Sequence, residues 1–414
     1  MGGKSEATSK AVQSTLDSVT SNAETGVAGL VFAAINKDGD IITANASGNR
    51  GLNTKQPMTL ETTFWIASCT KMITAIAVMQ LVEQGKLDLD DHKQLYKLCP
   101  ELEKVKVLTD DGKLEDKEAE ITLRMLLSHT AGFGYEFFNT KLRDYGRPVG
   151  FDVFSGDKNE VLNMPLVNQP GSRWEYGINI DWAGIALERQ TGLTLNEYMQ
   201  QNIFQPLGLN NTNMFPTKEM KSNLASMHQR WPGGSKAEER DHVYRRPLAA
   251  ESEEQKAAIL CSGGAGLFSR PTEYIKVLAV LLNEGTCPKT NKQILKADTV
   301  KHMFENQITQ FPEFGRRGIP DAKPEHTNVL GDLYPQGDVA QGWCLSAMLT
   351  VEPGMTGRGK NTAFWAGIAN LFWWVDREKG VAGMIASQVM PFGDPNVMGA
   401  WFGAETAVYD NLGA

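Results

Sequence analysis

The 414-residue sequence has no apolar run approaching the roughly 18 residues that mark a membrane span, no long basic run and no paired Cys-x-x-Cys. The first absence argues against a membrane-spanning chain. The second, with a formal charge of -8, makes nucleic acid and anionic membranes poor partners. Five cysteines at irregular spacing read as free thiols of a reducing compartment, not as a disulfide frame. Ser262-Gly263-Gly264-Ala265-Gly266 lacks the Gly-Lys-Ser/Thr ending of a phosphate cradle, so tight backbone packing beside a pocket is expected there. Met1-Gly2-Gly3-Lys4-Ser5-Glu6 lacks the apolar core of a secretory signal. The expectation is a cytoplasmic protein without nucleic-acid or membrane partner, metal or cofactor.

The composition is that of an ordinary globular protein, 41% hydrophobic and 22% charged, organised around one stretch. In Ser68-Cys69-Thr70-Lys71, a helix starting at or just before Ser68 puts Lys71 on the same face three residues on. The adjoining run from Met72 to Val82 is apolar except for Thr74 and Gln80, which predicts a helix buried nearly all round. Burial and the positive helix end both lower a lysine pKa, so Lys71 could take the Ser68 proton. The Ser68 backbone N–H could hold a developing oxyanion. Ser and Lys three apart are common by chance, and the motif gains its weight from the apolar helix behind it and from two stretches nearer the C-terminus. Cys69, about 100° further round a helix, reads as a packed thiol.

Those two stretches supply the rest of a candidate site. Tyr176, just before a predicted helix and beside Gly177, could share the serine proton with Lys71 and return it to a leaving group. A strand-edge N–H near Gly367 or Ile368 could complete the oxyanion hole. Phe133, Tyr135, Trp174, Phe364 and Trp365 suggest an apolar cleft. His129 reads as a structural, hydrogen-bonding histidine.

The remaining pattern predicts a helix over 8–22, a hairpin from Val27 to Ala46, an exposed hairpin between Glu103 and Glu120, and a helix from Pro271 to Leu282. Strands are expected at 342–349, 370–376 and 381–388, with a closing helix around Trp401 to Tyr409. Residues 309–338, dense in Pro, Gly and charge, are the candidate for a mobile pocket rim. Strands at both ends with helices between them predict an α/β fold, an antiparallel sheet flanked by N- and C-terminal helices. Residues 1–88 and 258–414 would form this lobe, 89–257 an inserted, mostly helical lobe, and the cleft between them the site.

Over roughly residues 20 to 410 the sequence resembles the serine β-lactamase and penicillin-binding-protein superfamily, in its class C-like esterase and acyltransferase branch. Ser68-Cys69-Thr70-Lys71 matches its Ser-x-x-Lys motif, Tyr176 its second-motif tyrosine, and Trp365-Ala366-Gly367 its third-motif strand. The resemblance implies a β-lactamase/transpeptidase-like fold with catalytic Ser68, Lys71 and Tyr176, and an oxyanion hole at Ser68 and Ile368. The candidate substrate contacts are Trp365 and Gly367 of the third-motif strand, the aromatics Phe133, Tyr135 and Trp174, and Asn179, whose family role as a substrate-amide ligand does not carry over directly. The family pattern is Tyr-x-Asn, whereas Asn179 lies three residues after Tyr176. Trp365 replaces the usual cation, so efficient β-lactam hydrolysis is not expected. The stretch from Tyr176 to Gly184 is similar to that of fungal acyltransferases of secondary metabolism. That similarity implies transfer from an ester or thioester donor, an acyl-carrier protein among the possible donors, to a small-molecule alcohol. A carboxylesterase for small apolar esters and a non-catalytic ligand-binding relative remain the alternatives.

Overall fold

A computed structural model describes residues 2–22, 26–234, 236–332 and 338–412. Its central feature is a seven-stranded antiparallel sheet built from both ends of the chain. The strands are β1 (Gly29–Asn36), β2 (Ile41–Gly48), β3 (Gly342–Trp343), β4 (Met348–Thr350), β5 (Thr362–Gly367), β6 (Leu371–Asp376) and β7 (Val381–Ala386). Their order is β2-β1-β7-β6-β5-β4-β3. β6 and β7 are buried throughout, and β1 all but its last residue, so these sequences are almost continuously apolar, the buried Asp376 that ends β6 excepted. β2 lies at the edge and alternates, burying Thr43, Asn45 and Ser47.

Five longer helices frame this sheet and the region beside it: α1 (Gly2–Thr20), α2 (Thr70–Glu83), α3 (Asn179–Thr191), α4 (Pro271–Leu282) and α5 (Pro395–Asp410). α1 packs on β2 and α5, α4 on β7 and β1, and α2 on α3. Between residues 89 and 257 the helices other than α3 are short. The hairpin 227–230/237–240 also falls there, and its first strand runs parallel to Val389–Met390 from the C-terminal part of the chain.

Three expected boundaries shift, each for a local reason. α1 begins at Gly2, because periodicity marks only the stretch whose side chains pack, with Val12 and Leu16 fully buried. The expected single strand over 342–349 is instead the pair β3 and β4, joined where the Cys344 N–H donates to the Ala347 carbonyl at 2.8 Å. All residues of this turn are buried, Ser346 included, so no exposed polar run announces it. The helix expected at Ser68 starts later, at Thr70, after a 3-10 turn over Ala67–Cys69. Of the stretch 309–338, residues 333–337 lie outside the described residues. The remainder holds a short turn at Phe314–Arg317 and a bridge between Ile319 and Leu330.

Candidate active site

The approach to Ser68 is tied down before the turn begins. Phe64 and Trp65 pair with Phe268 and Ser269, and the Trp65 indole N–H donates to the Ala265 carbonyl at 2.7 Å. Ala67 then adopts φ +44°, a left-handed conformation disfavoured for a residue with a Cβ. This reversal starts the tight turn that carries Ser68 into the mouth of α2. Gly367 at the end of β5 lets the strand run against the same turn. A Cβ there would lie 2.7 Å from the Ile66 carbonyl oxygen and 3.4 Å from the Ala67 Cβ.

Lys71, in the first turn of α2, is 1% exposed. Its Nζ donates to Ser68 Oγ at 3.0 Å, to the Tyr135 hydroxyl at 3.0 Å and to the Gly264 carbonyl at 2.9 Å. Three neutral oxygens thus take its three hydrogens, and no carboxylate among the described residues reaches ion-pair distance. Burial is the dominant effect on its acidity, opposed by the charge of Asp181, and the lysine pKa falls to about 7.

Tyr176 stands over this amine, with Lys71 Nζ 4.7 Å from its ring centre. Its hydroxyl accepts from the Trp365 indole N–H at 2.8 Å, so the tryptophan occupying the third-motif position is joined directly to the second-motif tyrosine. Burial raises the Tyr176 pKa, while hydrogen bonding to Ser68 and Trp365 acts in the opposite direction. Gly177 permits the approach behind it, since a Cβ would lie 2.4 Å from the Phe133 carbonyl oxygen.

Ser68, Tyr135, Tyr176, Trp365, Gly367 and Ile368 all line one cavity of about 250 Å³. Phe137, Phe154, Leu330 and Phe372 extend its apolar wall, and among the described residues that line it Asp332 is the sole carboxylate. Three expected substrate contacts sit elsewhere. Asn179 is fully buried, its amide donating to His129 Nδ1 at 2.9 Å and to the Phe133 carbonyl at 3.3 Å. The first turn of α3 carries that side chain away from the cavity. Phe133 packs behind on Trp182, with ring centres 6.1 Å apart. Trp174 stacks on Tyr176 at 6.0 Å and tilts against Trp343 at 5.2 Å, so it props the tyrosine. His129 has the structural place expected of it, its carbonyl accepting from the Glu175 N–H at 2.8 Å and its ring wholly buried.

Two groups near Lys71 went unrecognised in the sequence. Gly264 supplies a carbonyl to the amine, and Asp181 is a buried carboxylate hydrogen-bonded to the same glycine loop. Asp181 had a detectable signal, an acid amid Ile180, Trp182, Ala183 and Ile185 on a helix that buries them. Gly264 had none, because any residue provides a carbonyl. Among the described residues, no group of three or more His, Cys, Asp or Glu side chains is arranged to hold a metal. None of the described helices is long and apolar enough to cross a membrane.

The family described as Beta-lactamase matches the chain over residues 16–408. The chain belongs to that family. The lovastatin esterase of Penicillium rubens is 31% identical over 381 residues, spanning 87% of this chain and 89% of the relative. The monacolin J acid methylbutanoyltransferase of Aspergillus terreus is 33% identical over 355 residues, spanning 83% and 81%. Among solved structures, a LovD6 mutant of simvastatin synthase from Aspergillus terreus superposes with a TM-score of 0.80 at 28% identity. It covers 97% of this chain and 94% of that one. A penicillin-binding-protein homologue from Caulobacter crescentus shares the fold, with a TM-score of 0.66 at 16% identity over 98% of this chain and 97% of its own. The β-lactamase-like fold read from the Ser-x-x-Lys, tyrosine and Trp-Ala-Gly stretches is therefore the fold of this chain.

Proposed function

We propose that this protein is a serine acyltransferase that moves an acyl group from an ester or thioester donor to a small-molecule alcohol through an acyl-Ser68 intermediate. The observation that carries the reading is a lysine buried without a carboxylate partner, 3.0 Å from a serine hydroxyl at the wall of an apolar cavity. We take residues 1–88 and 258–414 as the α/β lobe and 89–257 as the insert, with the reaction in the cleft between them.

In the reaction, Ser68 Oγ attacks the donor carbonyl while its proton passes to neutral Lys71. The new Oγ–C bond forms, and the carbonyl electrons move onto an oxygen held by the Ser68 and Ile368 N–H groups. Collapse breaks the bond to the leaving alcohol or thiol, which takes a proton delivered by Lys71 and Tyr176 acting together. The acceptor alcohol then repeats the sequence in reverse, its proton going to Lys71 as its oxygen takes the acyl group from Ser68.

The aromatic wall supports an organic acceptor, because it binds carbon surface and leaves water few partners. Relatives named for methylbutanoyl transfer support the same reading; a place in secondary metabolism and a carrier protein as one form of donor are carried over from the motif resemblance. The second reading, hydrolysis of apolar esters, draws on the relative named as a lovastatin esterase. Trp365 supports weak β-lactam turnover in either case, since it offers Tyr176 an N–H where a carboxylate-binding cation would stand.

Intact mass and product release with a short-chain p-nitrophenyl ester test the proposal. An acyl adduct on the protein, absent in Ser68→Ala, is expected, and adding an acceptor alcohol should divert product from acid to ester. A Ser68→Ala protein that turns over at the normal rate would sink the assignment. Acid as the sole product at saturating alcohol would replace transfer by hydrolysis.

A further inference from the structure

The protonation state of Lys71 decides the direction of its three hydrogen bonds. As an ammonium it donates to Ser68 Oγ, the Tyr135 hydroxyl and the Gly264 carbonyl. As an amine it has two hydrogens and one lone pair. The Gly264 carbonyl can only accept, so it keeps one hydrogen. Ser68 and Tyr135 then compete, and whichever accepts the second hydrogen leaves the lone pair to the other. Only the arrangement in which Tyr135 accepts leaves the lone pair facing the Ser68 proton.

Asp181 biases this choice. It is buried on α3, and its Oδ1 accepts from the Ser262 hydroxyl at 2.6 Å and the Gly264 N–H at 3.1 Å. These bonds fix the residue whose carbonyl faces Lys71. A Cβ on Gly264 would lie 2.5 Å from Asp181 Oδ2 and 3.1 Å from the Tyr135 hydroxyl oxygen, so carboxylate and phenol both face the bare Cα, the carboxylate acting on the phenol through its charge. A phenol O–H turned towards that carboxylate presents its oxygen to Lys71 as an acceptor.

We propose that Asp181 is a positioning residue for acyl transfer, holding the Gly264 carbonyl and drawing the Tyr135 proton so that the Lys71 lone pair faces Ser68. The inference rests on the reading of Ser68 as nucleophile and Lys71 as base. The other titratable groups around the amine are Cys69 beside it, His129 and Tyr135 from one loop, and Tyr176 before α3. Asp181 is the carboxylate whose charge opposes the effect of burial on Lys71.

The test is the rate of p-nitrophenol release against pH in the whole protein and in Asp181→Asn, Ser262→Ala and Tyr135→Phe. Asp181→Asn keeps the two acceptor bonds and loses the charge, so its acid limb should move to lower pH by about one unit and its plateau should fall about tenfold. Ser262→Ala keeps the charge, so its limb should stay in place. Tyr135→Phe keeps the cavity wall, so kcat should fall about tenfold with KM little changed. An unmoved limb in folded Asp181→Asn overturns the proposal, as does a full rate in Tyr135→Phe, which remains decisive if Asp181→Asn does not fold. Turnover that survives Ser68→Ala counts against the nucleophile assignment instead.

Discussion

Among the described residues, two lysine or arginine side chains are buried to 1% exposure, Lys71 and Arg358, and they differ in what faces them. Arg358 is 1% exposed and meets Glu405 through two bonds of 2.5 and 2.8 Å, while its guanidinium lies over the Phe364 and Trp401 rings at 4.3 and 5.2 Å. Thr356 adds a hydroxyl donor to the same carboxylate at 2.6 Å. Lys71 is equally buried but faces three neutral oxygens. Burial alone is therefore not what makes a cation reactive. A planar guanidinium matched by a carboxylate stays charged and braces two segments, whereas a point-like ammonium without one gives up its proton near neutral pH.

The largest expected effect comes from erasing that difference at Lys71. Lys71→Arg installs a cation that does not deprotonate, and Lys71→Met removes the amine. Either should lower kcat/KM by about 10³-fold, at the middle of the range for general acid-base groups, with the fold retained by circular dichroism. A variant within a few-fold of the parent would remove Lys71 from the chemistry. The converse change, Glu405→Gln, leaves Arg358 buried without the Glu405 charge. It should cost about 3–5 kcal/mol of stability in denaturant melts, and the acid limb of the rate profile should not move. A loss under about 1 kcal/mol would mean that the pair carries little, as exposed pairs do.

A smaller effect sharpens the contrast without mutation. Only the neutral amine accepts a proton, so the acylation rate should fall about tenfold per pH unit below a pKa of about 7 and flatten above it. A flat profile from pH 5 to 9 would contradict the tuning by burial. The smallest change is Trp365→Phe, which removes the N–H donor from Tyr176 and keeps an aromatic wall. One hydrogen bond of about 1 kcal/mol predicts roughly a fivefold slower step, read as kcat on a p-nitrophenyl ester. No change would make that contact incidental.

The same contrast marks how much the sequence disclosed. The apolar run behind Ser68-Cys69-Thr70-Lys71 announced a buried helix, and with it an unusual lysine, because that information is local and periodic. The gathering of Ser68, Lys71 and Tyr176 was legible through motif order and resemblance. Ala67 gave no warning of its left-handed backbone, since tertiary pairing of Phe64–Trp65 imposes it. Tyr135 read as a cavity aromatic, and only the fold brings its hydroxyl to an amine 64 residues away in sequence. Asn179, Phe133 and Trp174 are the right residue types in the right neighbourhood. Their side chains support the site from behind because rotation along the first turn of α3 and across the 129–135 loop is fixed by packing that spacing does not encode. Arg358 and Glu405 lie 47 positions apart, and nothing in either segment signals the other.

Cys69 has a chemical consequence of its own. A thiol on the residue next to the proposed nucleophile is a rival nucleophile for the same acyl donor. Here the thiol is wholly buried, its pKa is raised by that burial, and the carbonyl of the same residue is held by the Tyr274 hydroxyl at 2.8 Å. Burial thus disfavours the thiolate that would compete with Ser68 under the proposed mechanism. Iodoacetamide, which needs that thiolate, should leave both Cys69 and the catalytic rate untouched.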